Sequence, residues 1–331
     1  MNRAVVAVCA LLCVPIGSCA PTRRETIAPV VDTIKHKLDV DVKSAVDRER
    51  AEAEANALAS QPLSIDSAEK LALLENPELR AAYERLGVTA GALVQAGLIA
   101  NPTATGIIRF DTAGKEKPDF EVGVDEDITS LIFALAKHGA AERDRDAAVD
   151  ETCALAIDVA AHAKAAYVRA FTASKIEKLT EDASKIEETA LQLATRMHDA
   201  GNLSDLDWLH AQAKQHEARL AAIDAAKNAA EARMALAVVE GETLSSPQMR
   251  DLPANPLLNA RLDALPHASE KSASLRLAAL DAQRESVARS LGYQGVARFV
   301  PHVAAGAAVE QRDGRLEVGP NVTVALPVVD L

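Results

Sequence analysis

From about Leu135 to Ala200 the chain contains no proline, and Gly139 alone breaks the run of helix-compatible residues. A helix of that length reaches roughly 100 Å at 1.5 Å per residue, more than one globular core can surround. It needs a partner along its length, and the sequence contains a seam for one. Leu179, Ala183, Ile186, Ala190, Leu193 and Met197 advance by alternating fours and threes, a heptad pattern. Past a break at Gly201, Leu209, Ala213, His216, Leu220, Ile223, Ala230 and Met234 keep the same register, with Lys227 on it. Two such seams joined by a short break predict an antiparallel hairpin of helices, with residues 179–197 and 209–234 satisfying each other on one side. Aromatics are 3% of the chain and its apolar content is mostly Ala, Leu and Val, which suits closely packed rods.

Outside the rods the period changes to two. Ile107 and Arg109 alternate with Gly106 and Ile108; after Gly114, Phe120, Val122 and Val124 alternate with Glu121, Gly123 and Asp125. Near the C-terminus Val303, Ala305, Ala307 and Val309 form a second such strand. Arg312-Asp313-Gly314 turns it into Leu316, Val318, Val322, Val324 and Leu326, opposed by Glu317, Gly319, Asn321 and Thr323. One apolar and one polar face, on strands of roughly 9 residues, is the pattern of membrane barrel strands, with a soluble sheet as the alternative. Each hairpin follows a similar helix. Leu79-Arg80-Ala81-Ala82 leads to Ala100-Asn101-Pro102, and Leu275-Arg276-Leu277-Ala278-Ala279 leads to Phe299-Val300-Pro301-His302, so the unit is duplicated. The expected fold is mainly α with a small membrane β-barrel portion. Its parts are a signal peptide at 1–18, a partly helical polar tether at 19–62, a first helix and hairpin at 63–134, the coiled-coil hairpin at 135–241, a Pro-rich connector at 242–270, and a second helix and hairpin at 271–331.

The N-terminus has a basic start at Arg3 and an apolar run from Ala4 to Val14, too short to cross a membrane. Ile16-Gly17-Ser18-Cys19 resembles a bacterial lipoprotein site, which makes Cys19 the candidate lipid attachment point; an ordinary signal peptide is the alternative. Cys153 reads as a small buried hydrophobe. The net charge of -12 argues against nucleic acid as a partner. The histidines are scattered, His210 and His216 lying six apart, and no phosphate loop, nucleophile elbow or paired cysteine motif occurs. The expectation is a protein that is not an enzyme and holds no cofactor or metal. Glu181-Asp182 and Glu187-Glu188 read as a solvated helix face.

The order of lipobox, Pro-Glu-Leu-Arg helix, Ala-Gly-Leu-Ile-Ala-Asn-Pro at 96–102, short hairpin, long coiled coil and repeated half resembles the TolC outer-membrane efflux protein family. Its most specific piece is Arg196 to Asp207, where Gly201, Ser204 and Asp207 keep the spacing of the family's coiled-coil turn and His198 stands where a Tyr is usual. The resemblance implies a homotrimer whose strands close one barrel in the outer membrane and whose helices continue as a periplasmic tunnel. It implies a tip, Ala200, Gly201, Asn202, Leu203 and Ser204, that docks a periplasmic adaptor protein linked to an inner-membrane pump. Asp199, Asp205 and Asp207 would lie near the constricted entrance and favour cations, or else serve only as helix-end residues. The other reading is a periplasmic coiled-coil or adaptor-like lipoprotein without a pore. The family continues with a second long coiled coil where this sequence stops at Val328-Val329-Asp330-Leu331, so the reading expects a C-terminally shortened chain that forms poorly defined oligomers alone.

Overall fold

The computed structural model describes residues 21–110, 118–241, 268–312 and 315–325. Cys19, residues 1–18, the Gly114 turn, most of the 242–270 connector, Asp313-Gly314 and Leu326 to Leu331 lie outside the described residues. The helices are α1 (Arg23–Leu38), α2 (Arg48–Ala59), α3 (Ile65–Glu75), α4 (Pro77–Gly97), α5 (Ile128–Asp199), α6 (Asp205–Glu240) and α7 (Ala268–Ala297), with a 3-10 turn at Lys43–Val46. The strands are β1 (Thr103–Arg109), β2 (Asp119–Asp127), β3 (His302–Arg312) and β4 (Arg315–Ala325). The chain divides into a helical unit, Ile27–Leu86 with Asp144–Arg284, and a sheet unit, Gly87–Arg143 with Glu285–Leu331 and the residues up to Thr26.

In the helical unit the segment expected to be a polar tether belongs to the core. Ile27, Val30, Val31 and Ile34 fall at i, i+3, i+4 and i+7, and this stripe is buried against Leu74, Tyr83, Leu86 and Cys153. Charged residues around the stripe hid it from an average over the segment. Cys153 is buried as expected, and desolvation pushes its thiol up to about 11. Between α3 and α4, Asn76 Oδ1 accepts from the backbone N–H of Glu78 and Leu79, each at 3.1 Å, while its Nδ2 donates to the Val239 carbonyl at 2.9 Å. With Pro77 at the first helical position, one residue therefore caps α4 and ties it to the end of α6. Gly241 closes α6 at φ +75, and a Cβ there would lie 2.3 Å from the Glu75 carbonyl oxygen.

The α5–α6 hairpin has the expected period but a different inner face. The side chains shielded along it are Thr180, Ser184, Glu187, Leu191, Ala194 and His198 on α5, and Trp208, Ala211, Gln215, Ala218, Ala222, Ala225, Ala229 and Ala232 on α6. The apolar residues expected to meet across it face outward: Leu179 and Ile186 are 68% exposed and Leu193 60%. Both sets step by threes and fours, so periodicity alone could not choose between them. Alanines bring the backbones close, and Arg233 to Glu177 at 3.0 Å and Trp208 Nε1 to Thr195 Oγ1 at 3.2 Å set the register.

In the sheet unit the strands pair antiparallel in the order β1-β2-β3-β4, so the two hairpins join through β2 and β3. Helix α5 begins at Ile128, directly after β2 and earlier than expected. Thr129 Oγ1 donates to the Pro301 carbonyl at 3.1 Å and accepts from the Val303 N–H at 2.8 Å, which holds that helix start to the start of β3. Gly139 does not interrupt α5. A Cβ there would sit 3.0 Å from the Arg289 guanidinium, so glycine makes room for a crossing side chain.

Candidate functional site

The turn between α5 and α6 is built from two helix ends. Gly201, at φ +75, donates to the His198 carbonyl and Asn202 donates to the Met197 carbonyl, both at 2.8 Å, which is the paired bonding of a Schellman stop. Ser204 then caps α6: its Oγ accepts from the Asp207 N–H at 3.2 Å and donates to Asp207 Oδ2 at 2.7 Å. His198, noted in the sequence for standing where a Tyr is usual, and Trp208, which sequence reasoning did not single out, lock the turn. The His198 ring stacks on Trp208 with centroids 5.0 Å apart, and His198 Nε2 lies 2.8 Å from Asp205 Oδ1 and Nδ1 3.8 Å from Asp199 Oδ1. The three candidate acidic residues therefore differ. Asp207 is turned to its cap; Asp205, 93% exposed, makes the short contact to the imidazole, and Asp199, 73% exposed, makes the longer one. Ala200, Gly201, Asn202 and Ser204 are exposed and Leu203 is half-buried. Trp208 had a signal in the sequence, as the chain's one tryptophan four residues past a capping serine.

Paired residues in an antiparallel sheet share a face, so the registers define two surfaces. Ile108, Phe120, Val122, Val124, Val309, Val318, Val322 and Val324 form one, continuous across all four strands. The other carries Arg109 between Glu121 at 2.7 Å and Glu310 at 3.5 Å, and Asn321 Nδ2 donating to Asp125 Oδ1 at 2.9 Å. A Cβ on Gly306 would strike the Val124 carbonyl first and then that same Asp125 oxygen, so the glycine lets β3 lie close against the β2 backbone. Strands β1 and β4 are the two edges. Among the described residues, no helix is long and apolar enough to cross a membrane, and no three His, Cys, Asp or Glu side chains are grouped to hold a metal.

Solved structures share this arrangement. CusC, determined for the conformational changes accompanying its folding and transmembrane channel formation, matches at a TM-score of 0.59 over 80% of this chain and 66% of its own, at 15% identity. The Campylobacter jejuni CmeC outer membrane channel matches at 0.55 over 80% and 62%, at 16% identity, and the outer-membrane channel OprN at 0.54 over 78% and 63%, at 20%. The fold is that of the TolC-type outer-membrane efflux channels. A curated relative, the cobalt-zinc-cadmium resistance protein CzcC of Cupriavidus metallidurans, is 27% identical over 208 residues, 63% of this chain and 47% of that protein. The chain thus spans about half the length of that relative and close to two thirds of the TolC-type channels compared. No family model matches the sequence. The TolC-type likeness was legible in the Gly201-Ser204-Asp207 spacing and the duplicated hairpins. The small-residue inner seam and the buried stripe of α1 were not.

Proposed function

We propose that this chain is a subunit of a trimeric outer-membrane duct that exports small molecules or ions from the periplasm, anchored by lipid on Cys19 and acting by conduction rather than catalysis. The observation that carries the reading is the second seam on each helix of the hairpin. Leu179, Ile186 and Leu193 each stand one position before the shielded Thr180, Glu187 and Ala194, about 100° round the helix. On α6, Leu209, Leu220 and Ile223 form a further outward stripe. A helix with seams on two faces has neighbours on two sides, which builds a wall of helices rather than an isolated pair. The sheet supports the same reading, with one continuous apolar face, one polar face and two open edges that copies of the chain would close. An adaptor-like lipoprotein without a pore has no use for that apolar face.

In this duct the turn Ala200 to Ser204 docks a periplasmic adaptor protein, which links it to an inner-membrane pump. Asp199 and Asp205 both keep most of their side chains in solvent and would meet cations at the entrance, which fits a relative named for cobalt, zinc and cadmium resistance. The test is a pair of tip substitutions, Gly201→Trp and Leu203→Asp, followed by export, protein level and membrane location in cells. Loss of export with level and location unchanged is expected, and normal export would remove the docking assignment.

A further inference from the structure

His198 is held between the ends of two helices by three contacts, and only one of its ring nitrogens has a firm partner. Asp205 approaches Nε2 at 2.8 Å; with an ionised carboxylate on that side, Nε2 carries the proton of the neutral ring. Nδ1 then presents a lone pair toward Asp199 Oδ1 at 3.8 Å, two acceptors facing each other across a gap. The ring's flat side is against Trp208, whose Nε1 donates to Thr195 on α5 at 3.2 Å. Among the described residues, the imidazole's contacts come from α5 and α6. The charged groups facing it are Asp199 from the first and Asp205 from the second; Asp207 is engaged with Ser204.

We infer that the tip is a pH-responsive clamp, in which a proton on Nδ1 of His198 turns the Asp199 gap into an ion pair and ties both helix ends to one imidazolium. The proton comes from solvent and no other bond is made or broken. Histidine is the side chain whose ordinary titration falls between pH 5 and 8. The added charge attracts both carboxylates and draws Asp199 out of solvent. The Schellman bonds from Gly201 and Asn202 lie inside the clamped loop and open less often. The consequence for adaptor docking rests on the function proposed above; the clamp itself involves only residues 195–208.

Trp208 makes the clamp observable, because it is the one tryptophan of the chain and stacks on the titrating ring. Protonated imidazole quenches indole emission, so the fluorescence of the full chain is expected to fall in one step as the solution is acidified. In His198→Tyr, which keeps an aromatic ring, and His198→Gln, which keeps a neutral donor, that step should vanish. Hydrogen exchange at Gly201 and Asn202, compared between wild type and each variant at the same pH, should be several-fold slower in wild type at pH 5.5 and equal at pH 8. Flat wild-type emission, a step that survives in both variants, or equal exchange at pH 5.5 would each overturn the clamp. None of these readouts involves docking, so a failed clamp and a failed docking assignment are distinguishable.

Discussion

Two glycines with the same backbone angle illustrate how context sets the cost of a residue. Gly201 and Gly241 both sit at φ +75, a conformation that costs other residues about 1–2 kcal/mol. Open space surrounds a Cβ at Gly201, whereas at Gly241 it would strike the Glu75 backbone. Gly201→Ala should therefore lower stability by roughly 1 kcal/mol, and Gly241→Ala by a clearly larger amount because α3 must move, as thermal unfolding would show. Glu69 supplies a pH effect. Burial raises its carboxyl above the ordinary glutamate range, against the pull of Lys164 at 2.7 Å. With the folded value raised, the folded chain holds the proton more tightly than the unfolded one. This contribution to stability is complete below the ordinary glutamate value and is lost as pH rises through the raised one. Unfolding curves for wild type and Glu69→Gln should differ in slope across that window, and parallel curves would show that Lys164 offsets burial.

At the scale of elements, the hairpin separates two tasks that a heptad pattern leaves merged. Its inner seam is made mainly of alanines on α6 with polar cross-links, Leu191 and Trp208, and its outer stripes carry most of the large aliphatic side chains. Ala229 is fully buried, so Ala229→Leu should overpack the hairpin and cost about 1–3 kcal/mol, read as an earlier melt of its helical signal. Ile186→Lys with Leu193→Lys should leave helix content unchanged and reduce self-association in sedimentation. If the two sets of variants behaved alike, inner and outer faces would have been assigned wrongly.

For the whole molecule, the apolar sheet face and the outer helix stripes expect neighbours of different kinds. Lysine on a lipid-facing barrel strand costs about 2–4 kcal/mol near the bilayer midplane, whereas lumen positions accept charge. Val122→Lys should lower the fraction of chain recovered in outer membranes, and Thr323→Lys, on the opposite face, should insert normally and reduce cation conductance in planar bilayers. Equal insertion of the two would contradict a barrel role for the sheet.

Local pattern was enough to read the long rods, the Gly201 turn and the alternation of the four strands, because each depends on residues within one or two turns of the chain. The pairing of seams was not legible. Leu179 and Thr180 belong to equally regular heptads, and what chose Thr180 for the inner face was the set of alanines on α6 and the Arg233 and Trp208 cross-links, all contributed from across the hairpin. Residues 23–59 were misread for a related reason. Their few apolar positions are too sparse to declare a core until α3, α4 and α5 supply the surfaces that bury them. Periodicity follows from bonds and angles along one chain, but which face is inside depends on the free energy of packing against segments far away in sequence, and only the tertiary structure shows those.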